Sequence, residues 1–242
     1  MLITGGSRGI GAAVAHAAAA DHDIVVNFAS RAATADALAR ELSYRGATVI
    51  TVQADVADET QVTEMFAAVD EVFGRLDALV NNAGIAGGYG PLATVDAEML
   101  ARLWAVNITG PFLCAREAAA RMRTDDGGRG GSIVNISSKA AVLGGATEWV
   151  HYAASKGAID TMTTGLAKEL AHVGVRVNAV RPGLIDSDFH LHAPPGRMER
   201  MAPTIPMQRA GTADEVAAAV LWLVSPAAGY TTGAFIDVAG GR

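Results

Sequence analysis

The sequence has a single cysteine among its 242 residues, which excludes a disulfide framework and any zinc site built on clustered cysteines. Charge is also sparse: 19 basic and 25 acidic residues give a formal net charge of −6, and the absence of basic runs argues against nucleic-acid binding. No apolar run reaches the roughly 18 to 20 residues of a membrane span, because Asp21 and Asp23 interrupt the alanine-rich opening. We therefore expect a cytoplasmic protein without a membrane span or a secretory signal.

Hydrophobic residues make up half of the chain (50%), which supplies ample material for a core and excludes a disordered protein. Short β-branched runs alternate with longer alanine-rich stretches, and this alternation predicts an α/β fold with a parallel, doubly wound sheet and helices on both faces. The predicted strands are Leu2–Thr4, Ile24–Phe28, Thr48–Gln53, Ala78–Asn81, Ser132–Ser137, Val175–Val180 and Ala234–Val238. The predicted helices are Ile10–Ala20, Ala32–Tyr44, Glu59–Phe73, Ala97–Met122, Tyr152–Ala171 and Ala213–Val224.

No linker or repeat divides the chain, so we predict one domain over residues 1–242. The irregular, proline-rich segment 188–206 is predicted to be a substrate lid, because long loops inside a compact domain are commonly functional. Its two histidines, His190 and His192, lack a neighbouring acidic or cysteine partner, so a lid or surface role is favoured over a metal site.

A glycine-rich segment, Thr4 to Gly11, follows the first strand and opens the first helix. Glycines at such a junction let the backbone approach a pyrophosphate, which then rests on the helix N-terminus. The spacing differs from the common GxGxxG pattern, so a plain tight turn remains an alternative. The predicted dinucleotide-binding residues of this segment are Gly5, Ser7, Arg8, Gly9, Ile10 and Gly11.

The end of the second strand indicates which dinucleotide is preferred. An acidic residue expected there to hold the adenosine ribose hydroxyls is missing. Arg8 and Arg31 offer two guanidinium groups instead, with Ser30 as a hydroxyl donor, and this set suits a ribose 2′-phosphate. The sequence thus favours NADP(H), with NAD(H) possible. The alternative is that Arg31 only caps the following helix.

Two further segments follow strands whose carboxyl ends lie on the same sheet edge, where open α/β sheets bind ligands. Asp55 and Val56 end the third strand and are predicted to meet the adenine edge. Asn82, Ala83 and Gly84 follow the fourth strand and are predicted cofactor contacts, although asparagine is also an ordinary turn former.

Tyr152 and Lys156 are four residues apart on a predicted helix, so the phenol and the ammonium share one face. A neighbouring ammonium favours the phenolate, which would let the tyrosine exchange a proton with a reacting oxygen. Ser138 lies 14 residues before Tyr152, close enough for the intervening loop to return its hydroxyl to the phenol. Asn107 is a polar amide within an apolar helical run and needs partners, which suggests a water held beside Lys156.

Together, Thr4–Gly11, Asn81–Gly84, Asn107, Ser138, Tyr152 with Lys156, and Arg181-Pro182-Gly183 occur in the order typical of the short-chain dehydrogenase/reductase family, which the chain resembles over essentially its whole length. The resemblance implies a Rossmann-like fold and a nicotinamide cofactor. It implies Tyr152 as general acid/base, Ser138 as the residue that orients the substrate carbonyl or hydroxyl, and Lys156 as a ribose contact that keeps the phenol acidic. Asn107 would support a proton-relay water.

By the same resemblance, Pro182 and Gly183 border the cofactor, and Ile185 and Ser187 are expected near the carboxamide. Ser187 stands where the family commonly has threonine. The position of the catalytic serine is assigned to Ser138 in preference to Ser137.

The resemblance implies an oxidoreductase that interconverts a carbonyl and a secondary alcohol of a small molecule. A homo-oligomer is implied as well, a tetramer or a dimer. Two alternatives stay open: a catalytically silent dinucleotide sensor, and an epimerase or dehydratase that uses the same residues. The intact set of Asn107, Ser138, Tyr152 and Lys156 argues against the sensor, and the chain length argues against the second alternative.

Overall fold

The computed structural model describes residues 1–187, 189 and 193–242. Asp188, His190, Leu191 and His192 lie outside the described residues, and with them the predicted roles of the two histidines and part of the predicted lid. Within the described residues, no helix combines the length and the apolar character that crossing a membrane requires.

The chain forms a seven-stranded sheet in which every neighbouring pair of strands is parallel, in the order β3-β2-β1-β4-β5-β6-β7. This confirms the predicted Rossmann-like α/β fold. The central strands are fully buried because apolar side chains emerge from both of their faces. The strands are β1 (Leu2–Ile3), β2 (Ile24–Phe28), β3 (Val49–Gln53), β4 (Ala78–Asn81), β5 (Gly131–Ile136), β6 (Val175–Pro182) and β7 (Phe235–Val238).

Helices cover both faces of the sheet and bury two separate apolar clusters. One cluster packs α3, α5 and α7 against the sheet, and the other packs α1, α2 and α9 against the opposite face. The helices are α1 (Gly9–Ala18), α2 (Ala32–Tyr44), α3 (Glu59–Phe73), α4 (Ala97–Trp104), α5 (Gly110–Met122), α6 (Ala140–Leu143), α7 (Val150–Leu170), α8 (Arg197–Met201) and α9 (Ala213–Val224).

The predicted helix Ala97–Met122 differs from the observed one in its middle. Five residues, Ala105–Thr109, form a π-helical turn between α4 and α5. Such turns are rare and frequently occur at functional sites. Asn107 lies in this turn and is fully buried.

The direction in which the chain adds strands reverses at the centre of the sheet. β1 pairs with β2 on one side and with β4 on the other, so the connections that leave β1 and β4 diverge. In open α/β sheets this divergence creates a crevice at the carboxyl ends of the strands. The segments after β1 and β4, which begin at Thr4 and Asn82, therefore lie side by side.

Candidate functional site

A cleft of about 470 Å³ opens at the carboxyl edge of the sheet. The structure brings nearly all the predicted site residues to its wall. Gly11 and Asn107 are the two predicted residues that do not line it. The predicted residues on the wall are Gly5, Ser7, Arg8, Gly9, Ile10, Ser30, Arg31, Asp55, Val56, Asn82, Ala83, Gly84, Ser138, Tyr152, Lys156, Pro182, Gly183, Ile185 and Ser187.

The glycine loop between β1 and α1 is shaped by backbone geometry that favours glycine. Gly5 and Gly9 have φ values of +58° and +54°, in the left-handed region. A Cβ built on Gly11 would lie 2.6 Å from both Asn82 Nδ2 and the Gly5 carbonyl oxygen, so Gly11 permits close packing beneath the loop. Above it, a Cβ on Gly9 would meet the side chain of Ser187 at 3.9 Å.

Two asparagines hold this loop. Asn27 on β2 is buried; its Oδ1 accepts a hydrogen bond from the Gly5 amide at 3.1 Å, and its Nδ2 donates to the carbonyl of Ala54 at 2.9 Å. Asn82 Nδ2 donates to the carbonyls of Thr4 and Gly5, both at 2.9 Å. Sequence reasoning assigned Asn82 to the cofactor and missed Asn27, whose only signal was an amide inside an apolar strand.

At the far end of the cleft, Arg8, Ser30 and Arg31 are exposed and line one wall. Arg31 occupies the N-cap position of α2, but its side chain makes no capping hydrogen bond. This observation argues against the alternative in which Arg31 only caps the helix. Asp55 lies on the same wall, forms an ion pair with Arg102 at 2.8 Å and accepts a hydrogen bond from the amide of Ala57. The exposed cations and hydroxyl fit the phosphate and ribose of a dinucleotide.

The catalytic candidates meet in the middle of the cleft. Tyr152 and Ser138 both line it, the Ser138 side chain acts to lower the pKa of Tyr152, and Ser138 Oγ accepts a hydrogen bond from the Ala140 amide at 3.1 Å. Ser137 is buried, and its hydroxyl donates to the Asp160 carboxylate at 2.6 Å. Ser138 is therefore the serine beside Tyr152.

Lys156 extends from the next turn of α7 beneath Tyr152. Its Nζ donates to the Ile136 carbonyl at 2.7 Å and lies 5.8 Å from the centre of the Tyr152 ring. Burial lowers the pKa of Lys156 to about 8, although the nearby Asp160 carboxylate opposes this shift. The ammonium is thus still largely protonated at neutral pH.

The pKa of Tyr152 shifts in the direction opposite to the one expected from the sequence. Burial raises it to about 12, and the hydrogen bond with Ser138 opposes the rise only in part. Removing a phenol from water disfavours its charged form, and this effect dominates the pKa of Tyr152. Tyr152 is a protonated phenol at neutral pH and is suited to donate a proton.

Asn107 is placed by the π-helical turn and acts on the segment after β4. Its Oδ1 accepts from the Ile85 amide, and its Nδ2 donates to the Ile85 carbonyl, both at 2.9 Å. Nδ2 also donates to Ser155 Oγ at 3.1 Å. Asn107 thereby joins the segment that contains Gly84 to α7. The predicted relay water beside Lys156 stays a prediction.

The other end of the cleft is aromatic and includes residues that sequence reasoning missed. The ring centres of Trp149, Tyr152 and Phe189 lie 5.4 to 5.9 Å apart, and Tyr89 packs against Trp149 at 5.5 Å. Buried Arg197 lies over Trp149. Nothing in the sequence near Arg197 signals this position.

Comparisons with known proteins agree with this geometry. A family model described as "Enoyl-(Acyl carrier protein) reductase" matches residues 5–242. The chain is 49% identical to the uncharacterized oxidoreductase YgfF of Escherichia coli (strain K12), over 100% of this chain and 98% of that protein. It is 39% identical to a 3-oxoacyl-[acyl-carrier-protein] reductase of Synechocystis sp., over 99% of this chain and 95% of that protein.

Among solved structures, the chain superposes on a short chain dehydrogenase from Burkholderia cenocepacia J2315 in complex with NADP. The TM-score is 0.92 at 35% identity, and the match covers 99% of this chain and 96% of the other. The fold, the arrangement of the cleft and these matches lead to one conclusion: the chain belongs to the short-chain dehydrogenase/reductase family and is an oxidoreductase.

Proposed function

We propose that this enzyme uses NADP(H) to interconvert a carbonyl and a secondary alcohol on a small molecule. The observation that carries the proposal is the convergence of Ser138, Tyr152 and Lys156 on the cleft wall, with Lys156 Nζ 5.8 Å from the centre of the Tyr152 ring. Two hydroxyls side by side provide two donors for one substrate oxygen.

In this proposal Tyr152 is the general acid of carbonyl reduction. It donates its phenolic proton to the carbonyl oxygen while Ser138 donates a hydrogen bond to the same oxygen. The positive charge of Lys156 stabilises the phenolate that is left behind. In alcohol oxidation, the phenolate takes the proton back. The nicotinamide, when bound, supplies or accepts the hydride, so the chain itself has to manage one proton and the orientation of the substrate.

Several residues would hold this cofactor. The glycine loop, with Gly5 and Gly9, lets the pyrophosphate approach the N-terminus of α1. Arg8, Ser30 and Arg31 supply positive charge and a hydroxyl for a 2′-phosphate. The NADP in the matched Burkholderia structure supports this preference.

The proposal includes a homo-oligomer. Ala154, Thr161 and Gly165 are exposed along one side of α7, where a Cβ on Gly165 would meet open space. Small side chains on a long helix allow close helix–helix approach. Light scattering should give a mass above the 24.8 kDa of one chain, and Gly165→Arg should reduce it. A wild-type enzyme that runs as a monomer would contradict this part.

The function is tested by following NADPH oxidation with a panel of a β-keto ester, an aldose and a 3-oxoacyl thioester. We expect turnover on at least one of them, and we expect Tyr152→Phe to lower kcat by about 100-fold or more while the Kd for NADPH changes little. Wild-type turnover in Tyr152→Phe would refute the mechanism. Tight NADPH binding without turnover across the panel would favour the sensor.

A further inference from the structure

One carboxylate, that of Asp160, joins three segments that carry site residues. Its Oδ1 accepts from Ser137 Oγ at 2.6 Å. Its Oδ2 accepts from Arg181 Nε at 3.0 Å and lies 2.9 Å from Arg181 Nη2. Ser137 precedes Ser138 at the end of β5, and Arg181 precedes the Pro182-Gly183 pair at the end of β6. Asp160 itself follows Lys156 by one turn of α7.

We propose that Asp160 is a positioning residue that fixes Ser138, Lys156 and the Pro182-Gly183 segment relative to one another. The proposal rests on the proposed function, because the geometry that Asp160 fixes is that of the proton donor. Asp160 does not line the cleft and would contact neither substrate nor cofactor.

The burial of the cluster supports a positioning role. The side chains of Asp160 and Arg181 are only 14% and 18% exposed. The Arg181 guanidinium also lies 4.1 Å from the centre of the Phe235 ring, which fixes its plane. An ion pair withdrawn from water gains little over well-packed apolar residues because desolvation offsets the attraction. A buried pair that anchors three site segments is better explained by the geometry it imposes.

Charge provides the second part of the argument. The charged or titratable groups described around this cluster are Tyr152 and Asp160 on α7, Arg181 on β6, Asp237 on β7 and Lys139 after β5, which is paired with Asp237. Asp160 raises the pKa of Lys156 against the effect of burial. Removing its charge should therefore lower the pKa of Lys156 further.

This change acts directly on carbonyl reduction. The active form needs a charged Lys156 ammonium, which would be lost at a lower pH without Asp160. In Asp160→Asn, we expect the alkaline limb of kcat to move toward lower pH by about 0.5 to 1 unit, the size of the effect of one nearby charge. Misplacement of Ser138 should lower kcat about 10-fold while the KM for NADPH changes less than about 3-fold. Asp160→Glu keeps the charge and should restore the pH profile.

A direct measurement needs no substrate. The chain has three lysines, Lys139, Lys156 and Lys168, so ¹³C-lysine labelling gives a spectrum simple enough to assign with Lys139→Arg and Lys168→Arg. The pKa of Lys156 should fall by about 0.5 to 1 unit in Asp160→Asn and stay near the wild-type value in Asp160→Glu.

The matched control is Glu117→Gln. Glu117 pairs with Arg121 at 2.9 Å, and the two side chains are 18% and 20% exposed, but this pair lies on α5 and does not line the cleft. The control should lose stability without moving the Lys156 titration or the pH profile. If Asp160→Asn behaves like this control, with wild-type Lys156 titration and kcat, the proposal is overturned.

Two further outcomes keep the test decisive. If Asp160→Asn does not fold, Arg181→Lys serves in its place, because it retains the charge but loses the two-nitrogen contact with Asp160. We then expect reduced kcat with an unchanged Lys156 titration, and full activity in Arg181→Lys would count against positioning. If the Lys156 pKa moves as expected but Tyr152→Phe retains turnover, the proposed function is wrong, whereas the effect of Asp160 on Lys156 still holds.

Discussion

Arg197 donates a hydrogen bond to the Glu148 carboxylate over 2.7 Å, although the two residues are 49 positions apart in the chain. The contact joins α8 to the residue pair that precedes α7, next to the aromatic end of the cleft. The Arg197 guanidinium lies 4.5 Å from the centre of the Trp149 ring. Burial acts to raise the pKa of the Glu148 carboxyl, but hydrogen bonds from Arg197 and Tyr89 outweigh this effect and hold the pKa below its ordinary value.

This relationship predicts a substrate-binding defect when the pair is broken. In Glu148→Gln, the nearly buried Arg197 loses its charged partner, and α8 should be held less firmly over the cleft. We expect the KM for the carbonyl substrate to rise about 10-fold, the effect of losing one charge-assisted hydrogen bond, with a smaller change in kcat. Steady-state kinetics at saturating NADPH provide the measurement.

Glu41→Gln serves as the control for that experiment, since Glu41 pairs with Arg45 on the exposed side of α2. It should leave both constants unchanged. A Glu148→Gln enzyme with wild-type KM would show that the pair does not shape the substrate end of the cleft.

The cofactor preference predicts a second set of variants. Arg8→Ala and Arg31→Ala remove the two guanidinium groups on the adenosine end of the wall. Each should reduce the ratio of kcat/KM for NADPH to that for NADH by about 10- to 100-fold, the range for a charged hydrogen bond to phosphate. Arg40→Ala, farther along α2, is the control. An unchanged ratio in both variants would mean that the preference, if any, arises elsewhere.

Gly11→Ala tests the packing beneath the glycine loop. The added Cβ would meet Asn82 Nδ2 and the Gly5 carbonyl oxygen at 2.6 Å, and neither atom can move without disturbing the loop. We expect a loss of about 1 to 3 kcal/mol in the free energy of unfolding, together with weaker NADPH binding. Denaturant unfolding of Gly11→Ala and of the wild-type protein measures the difference, and equal stability would contradict the clash.

Local sequence patterns were sufficient for the sheet and for much of the site. Apolar runs such as Ile24–Phe28 coincide with a strand because they are buried on both faces, and the four-residue spacing of Tyr152 and Lys156 fixes a shared helix face. Asp160 and Arg181 meet only because α7 packs against β6, and no local pattern reports such a contact. The four-residue spacing also fails to predict the direction of the Tyr152 pKa shift, because the depth of burial depends on the whole fold.

The π-helical turn at Ala105–Thr109 has a consequence for comparing this chain with others. A π turn holds one residue more than an α turn, so it advances the phase of the helix by about 100° relative to an uninterrupted one. The residues of α5 that share a face with a given residue of α4 therefore cannot be predicted by extending the periodicity of α4. An insertion or deletion of one residue here would leave both flanking helices intact and still rotate Asn107 away from Ile85. Alignments that shift a gap by a few positions across this turn would assign the wrong residue to the asparagine position.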